Sequence, residues 1–285
     1  MKALTQAQAD AFRRDGFLFP IPALSAAAAA AGVAAVNRLE AELGCPVAQA
    51  DVKWRSQAHV HTPWFNDLVR HPKILDVMED VIGPDIMVWT STFFIKDPGS
   101  ATYAAWHQDG AYFGLAPQAS VCAWVALTDA TFEAGCMEQL SFNGHPYEYH
   151  HEPLGLKNSI NRAGQTIMEE FDQSKPTAMA LRAGEISLHH ELAVHRSAPN
   201  MAGHRRIGFG INYMAPSLKV EDGVRCRAML VRGQDRYGNF DPIEAPKAER
   251  DAEALAAHQD VSERYRANYR KQVERHVARH AKAAE

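Results

Sequence analysis

Apolar positions along the chain change their period near residue 85. Upstream the pattern is helical. Thr5 followed by Gln8 reads as a capping box, and Gly16 ends the helix it opens. A second, Ala-rich helix starts at Ser25 and ends near Gly44. Phe65, Leu68, Val69, Ile74, Leu75, Val77, Met78 and Val81 keep helical spacing, broken at Pro72 and stopped at Gly83-Pro84. Ile86 to Ile95 is then β-branched and aromatic, as a strand should be. Similar short runs recur at Val121–Leu127, Ala178–Leu181, Glu185–Leu188 and Ile207–Tyr213, punctuated by Asp-Pro-Gly, Glu-Ala-Gly and Ala-Pro-Asn. Residues 144–177 are polar with no clear period, which in a compact β-domain suggests a lid or binding loop. From about Pro246 the chain is rich in Ala, Glu and Arg, as a helix is; its sparse apolar residues predict mostly solvent exposure. The pattern predicts one domain over 1–285, mainly β with flanking helices. It has helical wrapping over 1–84, a sandwich or barrel core over 85–215 and a C-terminal helix over 246–285.

Composition narrows the class. Of 285 residues, 46% are hydrophobic and 22% charged, which excludes wholesale disorder. A net charge of −4 and a pI near 6.4 give no pull toward nucleic acid or anionic membranes. No run approaches the roughly 18 consecutive apolar residues of a membrane span. The N-terminal stretch carries acids and arginines where a signal peptide would be apolar. Cys45, Cys122, Cys136 and Cys226 form no CxxC pair, so they read as reduced thiols of a cytoplasmic protein rather than a zinc site.

The 14 histidines carry the candidate chemistry. A carboxylate two residues after a His is a possible chelate, but about 1.7 such pairs arise by chance in this composition. Four occur: His107/Asp109, His150/Glu152, His189/Glu191 and His258/Asp260. Residues i and i+2 share a face on a strand but lie about 200° apart on a helix, so His258-Gln-Asp260, in the helical tail, is inert. His107-Gln-Asp109 follows a strand and is open to a metal role. A non-haem Fe(II) site needs a second His and keeps three positions open. Among the candidates His195 stands out, at a turn between strands, followed by Ser197, Asn200, Arg205 and Arg206. An arginine fork suits a dicarboxylate. The same segment also reads as a basic hairpin with surface histidines. Glu191 and His190 read either as groups orienting His195 or as strand residues facing solvent. Arg225, Arg227, Arg232 and Arg236, interleaved with acids, read as a solvated face.

Taken in order, His107-x-Asp109 and His195-x-Ser197-x-x-Asn200 with Arg206 eleven residues after the distal His resemble the phytanoyl-CoA dioxygenase family of Fe(II)/2-oxoglutarate oxygenases. Val121-Cys-Ala-Trp124, Leu127-Thr-Asp129, Glu133-Ala-Gly135-Cys136, the entry Asp15-Gly16-Phe17-Leu18 and the passage His71 to Ile95 extend the resemblance over most of residues 5–240. It implies a double-stranded β-helix, a cupin-like jelly roll. It implies His107, Asp109 and His195 as iron ligands, Arg206 as partner of the distal carboxylate of 2-oxoglutarate, Ser197 as its hydroxyl helper and Trp124 as a wall of that pocket. Two departures stand out: Arg196 where a Gly commonly follows the distal His, and Phe142-Asn-Gly-His145 where Pro-Gly-Ser-His is usual. The first would put an extra cation near the site.

The resemblance further implies Fe(II), 2-oxoglutarate and O₂, with hydroxylation of a small metabolite (amino acid, aminophosphonate or natural-product intermediate) and release of succinate and CO₂. Related halogenases carry a small residue at the position of Asp109, so its carboxylate argues for hydroxylation. The terminal Lys-Ala-Ala-Glu is no peroxisomal signal, which suits a compact bacterial-type member. Two other readings share these residues: a cupin-like metal enzyme that does not use 2-oxoglutarate, and a non-catalytic metabolite-binding protein. The C-terminal helix either covers the barrel or mediates a homodimer.

Overall fold

Thr5 caps the first helix, α1 (Gln6–Asp15), through the expected reciprocal bonds with Gln8, and Gly16 closes it in the left-handed conformation at φ 80°. α2 (Ala26–Leu43) runs from Ser25 to Gly44. α3 (Pro63–Val69) and α4 (Pro72–Ile82) each begin with a proline, whose missing N–H costs nothing there. These features appear in a computed structural model that describes residues 1–161, 164–221 and 223–283; the last two residues of the tail and two of the predicted lid lie outside them.

The strands are β1 (Phe17–Pro22), β2 (Ile86–Lys96), β3 (Ala104–His107), β4 (Leu115–Ala116), β5 (Val121–Ala126), β6 (Met137–Gln139), β7 (His151–Pro153), β8 (Gln165–Ile167), β9 (Thr177–Met179), β10 (Glu185–His190), β11 (His195–Ser197), β12 (Arg206–Met214), β13 (Lys219–Val220), β14 (Arg227–Arg232) and β15 (Asp241–Pro242). One sheet has the order β1-β10-β5-β12-β2-β14-β15 and faces a smaller one of order β3-β11-β6-β9. The fold is a double-stranded β-helix. Its large sheet takes β1, β14 and β15 from outside residues 85–215, because the edges of the predicted core would otherwise stand unpaired.

Both faces of β12 are buried. Its outer face carries Ile207, Phe209 and Ile211, which pack with Phe93, Val125, Phe65 and Ile74 under α3 and α4. By alternation, Arg206, Gly208, Gly210 and Asn212 face inward. Cys122 and Trp124 of β5 share that inner side. One side of each strand therefore builds the core, and the other is left for chemistry.

The C-terminal helix, α5 (Ala252–Ala283), departs from the expectation of mostly solvent exposure. Ala254, His258, Val261, Asn268, Gln272 and His276 are buried at three- and four-residue spacing, so one face lies against the β-domain. That face is largely polar. His258 bonds the carbonyls of Lys53 and Ser56 at 3.1 Å, and Asn268 donates to Phe113 O at 2.8 Å. A stripe that seals by hydrogen bonds leaves little hydrophobic signal. Arg225, Arg227, Arg232 and Arg236 each pair with a carboxylate. No described helix is long and apolar enough to cross a membrane.

Candidate metal centre

His195, the first residue of β11, lies directly opposite His107, the last residue of β3, in antiparallel register. The two rings stand 4.1 Å apart between centroids. Asp109 is not on the strand with His107, as the shared-face argument supposes. It opens a short 3-10 turn (Asp109–Tyr112), which swings its carboxylate back toward both rings. Asp109 Oδ1 is 3.6 Å from His107 Nε2 and 3.9 Å from His195 Nε2. Ligand atoms of all three residues lie within 4.8 Å of one another.

Each ring is oriented by its own backbone. His107 Nδ1 lies 2.8 Å from Ala105 O, and His195 Nδ1 lies 2.9 Å from Ala193 O. With Nδ1–H donating, both Nε2 lone pairs turn toward Asp109, the tautomer that binds a metal. Two neutral imidazoles and one carboxylate on one side of a cavity fit a divalent cation with open positions. Burial raises the Asp109 carboxyl, but the imidazoles of His107, His189 and His195 gathered around it outweigh burial and hold the group well below the usual carboxylate range. Burial and the neighbouring His107 hold the His195 imidazole well below its usual range.

Behind the triad lies a cationic pocket. Arg206 is buried and stacks on Trp124, its guanidinium carbon 5.5 Å from the ring. It also donates to Gly135 O. Burial lowers it to about 10. Trp124 can lie there because a Cβ at Gly208 would sit 1.8 Å from its ring. Ser197 accepts from Lys96 Nζ at 2.7 Å. Burial, with the charge of Arg206, pushes Lys96 down to about 6. His107, Asp109, His195, Arg206, Ser197 and Trp124 all line one small cavity.

Arg196 is turned aside. It forms a forked pair with Glu138 at 2.9 and 3.2 Å and lies over Trp106, so its charge is neutralised at the cavity edge. Glu191 does not touch His195. Its carboxylate accepts from Ser120 N and its backbone carbonyl from Gly110 N, which braces the turn after Asp109.

Sequence reasoning missed three groups. His189 Nε2 stands 3.4 Å from Asp109 Oδ2, on the other side from His107. Lys96 ends a strand in phase with inward-facing Phe94, a signal that alternation carries. Asn161, in the 144–177 segment, donates to His107 Nε2 at 2.7 Å, and nothing local marks it. A second cavity of about 250 Å³ adjoins the first, sharing Phe94, Asp109, Ile160 and Asn161. A larger cleft of about 660 Å³ lies under the end of α5, and no triad residue lines it.

A probable alpha-ketoglutarate-dependent hypophosphite dioxygenase of Stutzerimonas stutzeri is 27% identical over 188 residues, 65% of this chain and 61% of that protein. The chain spans between about half and three-fifths of the length of the curated relatives it matches. Among solved structures, the apo form of the non-heme monooxygenase ThoJ superposes with a TM-score of 0.82 at 31% identity, covering 94% of this chain and 99% of that one. The alpha-ketoglutarate-dependent carbocyclase SnoK from nogalamycin biosynthesis, at 23% identity and TM-score 0.61, covers 85% of this chain and 94% of its own and shares the fold. Residues 12–208 match the phytanoyl-CoA dioxygenase (PhyH) family, and on that match the chain belongs to the phytanoyl-CoA dioxygenase family.

Proposed function

We propose that this chain is an Fe(II)/2-oxoglutarate-dependent dioxygenase that hydroxylates a small metabolite. The observation that carries the reading is the cross-strand pair His107–His195 with both Nε2 atoms turned to Asp109. In this reading His107, Asp109 and His195 hold Fe(II). Arg206 and Lys96, with the Ser197 hydroxyl, hold the distal carboxylate of 2-oxoglutarate, and Trp124 walls that pocket. When bound, iron with 2-oxoglutarate and O₂ supplies the oxidising power that converts a substrate C–H to C–OH, 2-oxoglutarate leaving as succinate and CO₂.

The chain's own contribution is orientation and shielding. A buried guanidinium over an indole binds a carboxylate strongly because water does not compete. A metal at His107 Nε2 would displace the Asn161 amide, which supports a lid role for the segment that carries Asn161. The Asp109 carboxylate fills the ligand position that a halogenase leaves open to chloride, which supports hydroxylation. The three buried free thiols, Cys122, Cys136 and Cys226, support a cytoplasmic setting.

The test is succinate release with Fe(II), ascorbate and 2-oxoglutarate across a substrate panel. Alanine at His107, Asp109 or His195 is expected to abolish it, and wild-type succinate yield in any of the three would sink the assignment. Arg206→Ala is expected to raise the KM for 2-oxoglutarate by about tenfold or more. Activity untouched by that change and independent of 2-oxoglutarate would favour a different cupin-like metal enzyme.

A further inference from the structure

The 250 Å³ cavity beside the triad has room for about eight water molecules at ~30 Å³ each. Its wall gathers buried polar atoms that have no hydrogen-bond partner among the described residues. They are both amide atoms of Gln57, Thr90 Oγ1, Asn212 Oδ1, Ser262 Oγ and Arg266 Nη2. Gln57, Thr90, Asn212 and Ser262 are 1%, 2%, 7% and 5% exposed. They come from the turn before α3, from β2, from β12 and from α5, so no single local motif explains them. Folded proteins leave few buried polar groups unpaired, and a cluster on one cavity points to a ligand that pairs them.

Gln57 adds an independent sign. It holds φ 63°, a conformation costly for a residue with a Cβ, fixed by its N–H to Ser91 O at 2.7 Å. Strain of this kind is retained where a side chain must be aimed.

The charge of the wall is one-sided. Lys53, Arg55 and Arg266 line the cavity, and its one carboxylate is Asp109, which the metal takes. Arg266 Nη2 forms an ion pair with Asp51 at 3.8 Å, beyond hydrogen-bond length, so an incoming carboxylate at hydrogen-bond distance can take the guanidinium. Phe94, Phe113, Tyr265 and Tyr269 supply apolar and aromatic surface to the same wall.

We infer that the substrate is a small carboxylic acid bearing one further hydrogen-bonding group, a 2-amino or 2-hydroxy acid in chemical class. Arg266 holds its carboxylate. The amides of Gln57 and Asn212 read its polar substituent, and the carbon skeleton lies along the aromatic wall toward Asp109. The inference rests on the proposed function for the location of the reacting centre.

The test is anaerobic calorimetric titration of the Fe(II)- and 2-oxoglutarate-loaded protein with small 2-amino and 2-hydroxy acids carrying aliphatic or aromatic side chains, each beside its methyl ester. Free acids are expected to bind tenfold or more tightly than their esters. Arg266→Gln is expected to lower acid affinity at least tenfold while 2-oxoglutarate binds as in wild type, and Arg266→Lys restores part of the loss. Gln57→Leu, a second and uncharged change, is expected to weaken these acids and to spare the corresponding acids unsubstituted at C2, titrated alongside. Esters that bind as well as acids, an Arg266→Gln affinity within twofold of wild type, or no binding by any acid of the panel would overturn the inference. Failure of the catalytic reading shows separately, as absence of succinate with substrates that do bind.

Discussion

Lys96 and Glu191 are two buried ionisable groups near the site, and each makes a pH prediction of opposite origin. Lys96 is pushed down to about 6 by burial and by Arg206, so it is largely neutral at pH 8. A dicarboxylate arriving beside it restores the charge, and binding then takes up a proton. Affinity for 2-oxoglutarate is expected to fall as pH rises above about 6, by at most tenfold per unit. Calorimetry in two buffers of different ionisation enthalpy reads the uptake, and Lys96→Met removes it. Burial pushes the Glu191 carboxyl the other way, from 4.5 up to about 8, against the hydrogen bond from Ser120. A raised folded value gives stability that is complete below the unfolded value and is lost as pH rises through the folded one. Glu191→Gln, neutral at every pH, is therefore expected to gain on wild type between pH 5 and 8, by on the order of 1–4 kcal/mol. Urea melts at the two pH values measure it, and equal differences at both would contradict the buried-acid account.

α5 is the element whose role is least visible from composition. Ser262, Tyr265, Arg266 and Tyr269 fall at i, i+3, i+4 and i+7, one helical face, and all four line the 250 Å³ cavity. The same face anchors itself through side-chain amides. Gln272 bonds Glu221 O at 3.1 Å, and Asn268 bonds Phe113 O at 2.8 Å. Asn268→Ala leaves that carbonyl unpaired in a buried seam. It is expected to cost about 1–3 kcal/mol in urea unfolding, with a loosened cavity raising the substrate KM. A cost under a few tenths would mean that the Asn268 bond does not help to hold α5. β12 works by the opposite logic: its apolar face is plain in the sequence, while its inward Gly208 and Asn212 acquire meaning only from neighbours on β5 and β2.

At the scale of the whole molecule, the metal centre joins chain segments far apart, so ligands should stabilise the global fold. Fe(II) with 2-oxoglutarate at a hundredfold excess over Kd is expected to add about 2.7 kcal/mol, seen as a raised Tm that a chelator reverses and His195→Ala lacks. Much of this protein was legible before any tertiary contact was known. Caps at Thr5 and Ser25 located α1 and α2, and apolar spacing broken at Pro72 located α3 and α4, because these signals act within a few residues of themselves. β-branched and aromatic runs located the long strands for the same reason. Motif order pointed to His107, Asp109, His195 and Arg206, whose spacing reflects fixed places on a β-helix. Tertiary structure alone decided what depends on packing between distant segments. Asp109 meets the His107 and His195 rings from a 3-10 turn, Asn161 caps His107 across 54 residues, Arg196 is claimed by Glu138, and α5 closes the cavity with a polar face. Local propensity is written residue by residue, whereas these contacts exist only once the sheet has brought their partners together.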